Sequence, residues 1–391
     1  MTGEDAMGLA LGQARRGQGR TFPNPSVGAV VFRGDRVLGR GVTRPPGGPH
    51  AEVVALEAAL ARYGPRSVDG AAMAVTLEPC CFTGRTGPCT RAIVEAGIRR
   101  IYIGCRDPHI RVAGRGLRAL RAAGVEVELG VREAACREHH RGFISVCKRG
   151  RPFVTLKLAS TLDGRIATAG GESRWITGPE ARRAVHRMRA RSDAVMVGSG
   201  TVLADDPELT ARRGDRVLHR PVRVVVDSKL SVKPAAGLYQ GLDAAARTWV
   251  LCREGARGRR AIRETGARIF ELPALGPARA GHLDLAAGMQ ALAAAGLTSV
   301  LVEGGGGLAA ALLRSGLVDE IHWMLAPSLL GGDGRPALAE LGIECLGEMV
   351  RLESLGTRRL GADLHLWGRI VPAPPARRGR RGSRGSGASR G

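Results

Sequence analysis

The chain has 391 residues, 44% of them hydrophobic and 24% charged, enough to bury two cores and too apolar for a disordered protein. Its net charge of +23 raises nucleic-acid binding, but only four of 59 basic residues are lysines and aromatics make up 3%. Arginines scattered along helices without aromatics for base stacking fit compositional bias in a globular enzyme better than a nucleic-acid interface. No apolar run reaches membrane-span length and no secretory leader is visible; eight scattered cysteines suit a reducing cytoplasm, not a disulfide framework.

Asp5 to Arg16 has the apolar spacing of an amphipathic helix. Thr21 to Ser26 is a loop in which two prolines leave Asn24 as the strong hydrogen-bonder. Val27 to Val31 and Arg36 to Val42 are predicted strands joined at Arg33-Gly34-Asp35. Pro45 to Pro49 then delivers His50 to a helix running to Tyr63, with Val53, Val54, Leu56 and Leu60 expected on its buried side. Ala71 to Leu77 is a buried strand that Glu78-Pro79 ends, and Cys89 opens the next helix. Strands at Arg100 to Cys105 and Val125 to Leu129 flank a helix over Gly116 to Ala123. This alternation predicts a layered α/β domain.

The stretch Pro49 to Cys89 carries the chemistry. P-H-A-E is followed by T-L-E-P-C-C-F-T-G-R-T-G-P-C from Thr76. His50, Cys80 and Cys89 offer one nitrogen and two thiolates, three protein ligands of the kind that leave a catalytic zinc one open position. Glu52, two residues beyond the histidine, is placed to move protons rather than to bind metal. This is the zinc deaminase constellation, in which the metal activates water and a glutamate is the general acid/base. Cys81 is a bystander.

In the second half, Lys148 to Pro152 reads as a linker. Strands are predicted at Phe153 to Ala159, Asp193 to Val197, Val222 to Val226, Thr248 to Leu251, Ala267 to Phe270 and Ser299 to Val302, with Val318 to Leu325 and Asp363 to Ile370 closing the sheet. A helix is expected from Pro179 to Arg191. Gly304 to Gly307 sits between a strand and a helix, where glycines let backbone amides approach a phosphate. Gly198 to Thr201 reads as a second such loop. Lys157 stands out, because a lysine inside an apolar strand is unexpected in so lysine-poor a chain; it is either a functional point charge or an edge residue. From 372 to 391 the composition is a disordered Arg/Gly-rich tail.

P-N-P-S-V-G-A-V from Pro23 and the nine-residue spacing of Cys80 and Cys89 resemble the deaminase half of the bifunctional riboflavin-biosynthesis deaminase/reductases. K-L-A-S-T-L-D-G-R-I-A from Lys157, G-E-S-R-W-I-T from Gly171, V-L-A-D-D-P-E-L-T-A-R from Val202, V-V-D-S and V-E-G-G are similar to the reductase half. The resemblance implies an α/β protein with a cytidine-deaminase-like zinc domain over 1–147 and a dihydrofolate-reductase-like domain over 148–371. It implies zinc and NADPH as cofactors, and a homo-oligomer formed through the reductase domain. The reaction would be deamination of a phosphoribosylamino-pyrimidine, then reduction of its ribosyl group to a ribityl chain.

The resemblance assigns zinc to His50, Cys80 and Cys89, proton transfer to Glu52, and deaminase substrate contacts to Asn24 and Arg85. Reductase substrate contacts fall on Lys157, Ser173, Arg189, Leu209, Arg212 and Glu303. NADPH contacts fall on Ala159, Trp175, Thr201, Asp205, Ser228, Gly305, Gly306 and Gly307, with Asp205 also a candidate for orienting the nicotinamide or assisting protonation. The sequence departs from the family at Thr43 and Phe82, where histidines that touch substrate are usual. That departure motivates a rival reading, a relative whose deaminase is weakened or re-targeted; a polynucleotide-editing deaminase is a second, more remote one.

Overall fold

The computed structural model describes residues 1–83, 87–241, 247–273, 275 and 283–371. The first sheet contains β1 (Gly28–Arg33), β2 (Arg36–Val42), β3 (Ala72–Leu77), β4 (Arg100–Cys105) and β5 (Glu126–Leu129). Their order is β2-β1-β3-β4-β5. β1 pairs antiparallel with β2 and β3, while β3, β4 and β5 are mutually parallel neighbours. Around it pack α1 (Gly3–Gly17), α2 (Ala51–Tyr63), α3 (Cys89–Glu95), α4 (Arg115–Ala122), α5 (Glu133–His139) and α6 (Arg141–Arg149).

The helices lie unusually close to the strands, and small residues are the reason. A Cβ on Gly28 would overlap the Ala10 carbonyl of α1; one on Gly39 or Gly41 would overlap the Ala55 or Ala51 carbonyl of α2. The buried face of α2 is therefore Ala51, Glu52, Ala55, Leu56 and Ala59. This corrects the expected face: Leu56 is inside, but Val53 and Val54 are half-buried and Leu60 is 36% exposed. Bulk predicts burial only when the neighbour leaves room for it, and glycine on β2 leaves room for backbone instead.

The second sheet has nine strands in the order β13-β12-β11-β8-β14-β6-β15-β18-β17. These are β6 (Phe153–Thr161), β8 (Ala194–Gly198), β11 (Val222–Val226), β12 (Thr248–Arg253), β13 (Arg268–Leu272), β14 (Ser299–Val302), β15 (Glu320–Ala326), β17 (Leu352–Leu360) and β18 (Asp363–Ile370). From β13 to β15 every pairing is parallel; β18 and β17 are antiparallel additions. Short ribbons are made by β7 (Arg165–Ala167) with β16 (Arg335–Pro336) and by β9 (Ala211–Arg213) with β10 (Arg216–His219). The helices are α7 (Pro179–Arg189), α8 (Ser199–Asp205), α9 (Arg259–Glu264), α10 (Leu285–Ala294) and α11 (Gly306–Arg314).

Three further expectations change. The linker is shorter than predicted, because Lys148 and Arg149 finish α6 and only 150–152 connect it to β6. Residues Ser199 to Thr201 are the first turn of α8 and not a loop. β17, unpredicted, is the outer strand of the sheet, and most of its residues are exposed, so it lacks the apolar alternation that would reveal it. Where the two halves meet, Asp319 accepts from Arg149 (2.6 Å) and from both terminal nitrogens of Arg151 (2.8 Å each). Arg141 of α6 pairs with Glu320 of β15 at 3.0 Å. No described helix is long and apolar enough to cross a membrane.

Candidate functional site

The metal donors converge as their spacing predicts. His50 is the residue that caps α2 and makes no side-chain capping bond, which leaves its ring free. Cys80 follows β3, and Cys89 is the first residue of α3. His50 Nδ1 lies 3.3 Å from Cys89 Sγ and 3.6 Å from Cys80 Sγ, and all three donor atoms lie within 4.8 Å of one another. A tetrahedral zinc with sulfur and nitrogen ligands needs donors about 3.3–3.8 Å apart, so this set fits the ion. Hydrogen bonds from the Cys89 thiol, the His50 ring and the Cys89 amide (3.3 Å) favour a thiolate at Cys80 and hold its pKa down at about 4. Cys81 points elsewhere, towards the Arg111 carbonyl at 3.9 Å.

Glu52 is in the first turn of α2 and 3% exposed. Burial first, then the Cys80 charge, push its carboxyl up to about 7. A carboxyl poised near neutrality can both take and return a proton. Asn24 lies in a loop fixed by its own backbone: its amide donates to the Thr21 carbonyl and its carbonyl accepts from the Thr21 hydroxyl. Arg85 lies outside the described residues. Thr43 is buried, and its hydroxyl accepts from the Val27 amide at 3.0 Å. Phe82 carries the Arg111 guanidinium 4.0 Å above its ring.

The second site is a cleft of 1410 Å³ along the reductase-like sheet. Lys157, Ser173, Arg189, Leu209 and Glu303 line it, as do Ala159, Trp175, Thr201, Asp205, Ser228, Gly305, Gly306 and Gly307. Lys157 is not an edge residue, since β6 runs between β14 and β15. It belongs to a half-buried charge group on the cleft wall with Arg189 and Glu303. Arg189 grips Glu303 with two bonds, Nε to Oε1 at 2.6 Å and Nη2 to Oε2 at 2.9 Å. Burial pushes the Glu303 carboxyl up, but the Arg189 and Lys157 cations outweigh it and hold it below the usual carboxylate range. Burial lowers the Lys157 ammonium despite Glu303. Arg212, expected beside them, does not line the cleft; it bonds the Glu208 carboxylate and Thr210.

The glycine loop exposes a helix N-terminus to the cleft. Gly305 caps α11, and its amide donates to the Thr201 hydroxyl at 3.2 Å. At Gly306 a Cβ would come within 2.9 Å of the Pro336 carbonyl, whereas Gly307 meets nothing within 4 Å. The loop thus presses its backbone against β16 on one side and leaves amides at a helix N-terminus open on the other, an arrangement that suits phosphate oxygens. Asp205 ends α8, and its carboxylate pairs with Arg174 at 3.3 Å. Trp175 is 70% exposed to the cleft, and Arg182 stacks on its ring at 4.5 Å.

Sequence reasoning did not find Arg174, Arg182, Arg314 or Arg335, which also line the cleft. An arginine carries little signal in a chain with 59 basic residues. It also read Glu78 only as a strand terminator. Its buried carboxylate accepts from the amides of Asp107 (3.2 Å), Gly114 (3.0 Å) and Leu117 (3.2 Å), and so fixes the loop between β4 and α4. An acidic residue directly after a buried strand was the available clue.

Comparison with known proteins agrees with both halves. Residues 1–105 match the cytidine and deoxycytidylate deaminase zinc-binding region, and residues 152–366 match the RibD C-terminal domain. The riboflavin biosynthesis protein RibD of Escherichia coli is 40% identical over 381 residues, covering 94% of this chain and 100% of that protein. Acinetobacter baumannii RibD superposes with a TM-score of 0.82 at 34% identity, over 95% of this chain and 99% of that one. The Thermotoga maritima diaminohydroxyphosphoribosylaminopyrimidine deaminase/5-amino-6-(5-phosphoribosylamino)uracil reductase gives 0.81 at 33%, over 94% and 99%. With a three-donor metal set in one half, a cleft edged by a glycine loop in the other, and relatives matched end to end, the chain belongs to the RibD family of riboflavin biosynthesis proteins.

Proposed function

We propose that each activity resides in one of the two units, deamination in 1–147 and reduction in 148–371, with the residue roles set out below. The protein is a bifunctional enzyme of riboflavin biosynthesis, a zinc deaminase and NADPH-dependent reductase. The re-targeted relative and the polynucleotide editor are not favoured, because the likeness spans both domains of bifunctional relatives. The observation that carries the reading is the pairing of two sites on one chain: His50, Cys80 and Cys89 beside a buried Glu52, and a cleft that gathers thirteen of the fourteen reductase residues assigned from sequence.

In the first site His50, Cys80 and Cys89 hold zinc, which supplies Lewis-acid chemistry for hydrolysis. Glu52 takes a proton from the attacking water and delivers it towards the departing amine. The pyrimidine carbon gains a C=O bond, its C–N bond breaks, and ammonia leaves. Asn24 and Arg85 bind the pyrimidine and its phosphoribosyl arm.

In the second site the glycine loop and Ser228 hold NADPH, which supplies the reducing equivalents. Lys157, Ser173, Arg189 and Glu303 position the sugar phosphate. Asp205, steadied by Arg174, orients the nicotinamide end or relays the proton that completes reduction. Arg212 reaches substrate only by releasing Glu208.

The enzyme works in the cytoplasm as a homo-oligomer joined through its reductase unit and needs no nucleic-acid partner. The test is zinc content together with ammonia release from the diaminopyrimidine phosphoribosyl substrate. About one zinc per chain and stoichiometric ammonia are expected. Bound zinc without ammonia contradicts the deaminase assignment.

A further inference from the structure

At the deaminase rim the Thr43 hydroxyl is engaged with Val27 and Phe82 carries no polar group, and the fold places a cation beside Phe82. β3 and β4 are parallel, so the segments leaving their carboxyl ends emerge on the same edge of the sheet. One segment carries Cys80 and Phe82; the other carries Asp107, His109 and Arg111. The second is held rigidly. Glu78 ties it at Asp107, Gly114 and Leu117. Asp107 Oδ1 accepts the His109 amide at 2.7 Å, and His109 Nδ1 accepts the Arg111 amide at 3.3 Å. Cys81 Sγ donates to the Arg111 carbonyl. Arg111 is exposed and, among the described residues, its guanidinium has no carboxylate partner.

Its one anchor is the Phe82 ring, 4.0 Å away. A guanidinium lying over an aromatic face keeps its N–H edge free, and that edge matches phosphate in a bidentate grip. We propose that Arg111, braced on Phe82, binds the phosphate of the deaminase substrate and sets the preference of this site for phosphorylated pyrimidines. The proposal rests on the deaminase reading above. It gives Phe82 a role as the platform for that cation.

The test compares ammonia release from the phosphorylated pyrimidine and from its dephosphorylated ribosylamino counterpart, using the full zinc-loaded chain. Arg111→Ala should raise KM for the phosphorylated compound about tenfold, with kcat nearly unchanged and the dephosphorylated compound unaffected. Arg111→Lys should recover part of the loss, and Phe82→Leu should cause a smaller rise of the same kind. Reductase turnover reports that each variant is folded. An unchanged KM, or an equal loss on both compounds, overturns the role of Arg111. A parent chain that releases no ammonia from either compound overturns the deaminase reading itself.

Discussion

The zinc centre and the reductase cleft are built in opposite ways. The first draws its three metal donors and the buried Glu52 from forty residues of continuous chain, His50 to Cys89. The second collects side chains from Lys157 to Glu303, most of them from strand ends and helix starts across a nine-stranded sheet. The compact site depends on donor chemistry and fails when one donor is lost. The dispersed site depends on the sheet that brings its parts together, so its variants should divide between chemistry and stability.

The largest effect should come from the compact site. Cys89→Ala removes a ligand and should lose zinc and at least about a thousandfold of deamination, while NADPH-dependent reduction of the deaminated compound continues. Metal analysis and the two separate assays check this. Loss of both activities would mean that the two regions are not independent. Next is Glu52→Gln, which should keep zinc and lose about 10²–10⁴-fold in ammonia release, the range for a positioned acid/base.

In the cleft, Asp205→Asn should cut ribityl product formation by about 100-fold with unchanged zinc content. Normal reduction by that variant would remove Asp205 from the mechanism. Arg189→Met separates chemistry from stability, because it leaves Glu303, half-buried in the cleft wall, with Lys157 alone. Denaturant unfolding should show a loss of about 1–3 kcal/mol, alongside weaker substrate binding. Binding loss at full stability would mark Arg189 as a contact only.

A last effect is a pH dependence outside both sites. His365 is buried on β18, and burial, then His322 and Arg358, lower its pKa to about 4. The folded state therefore takes up its proton later than the unfolded chain, whose histidine titrates near 6.5. Stability is fully present above pH 6.5 and falls as pH drops from there towards 4, by about 1.4 kcal/mol per pH unit for that proton. His365→Leu should flatten the slope in that window; an unchanged slope would place the titration elsewhere.

How legible each region was follows from the same contrast. The metal set could be read because residue type and spacing alone specify it, and His50, Glu52, Cys80 and Cys89 fall where their spacing puts them. The glycine loop and Lys157 could be read from their mismatch with the chain around them. Arg174 could not, because only the folded chain brings it to Asp205, 31 residues further on, and Arg182 could not, because one more helical arginine stands out little among 59 basic residues. The inner face of α2 was misread for a local reason: glycines on β2 admit alanines and turn Leu60 outwards. β17 gave no signal, since an exposed outer strand has no buried face to pattern it.

The central claim is that one chain carries out both steps in order. The most direct measurement is chromatographic product analysis with the full protein, zinc, NADPH and the diaminopyrimidine phosphoribosyl substrate. The account predicts ammonia and NADPH consumption in equal amounts, ending in the ribityl pyrimidine, and deaminated intermediate alone when NADPH is withheld. NADPH consumption without ammonia, or a ribityl product that keeps both amino groups of the diaminopyrimidine, would contradict it.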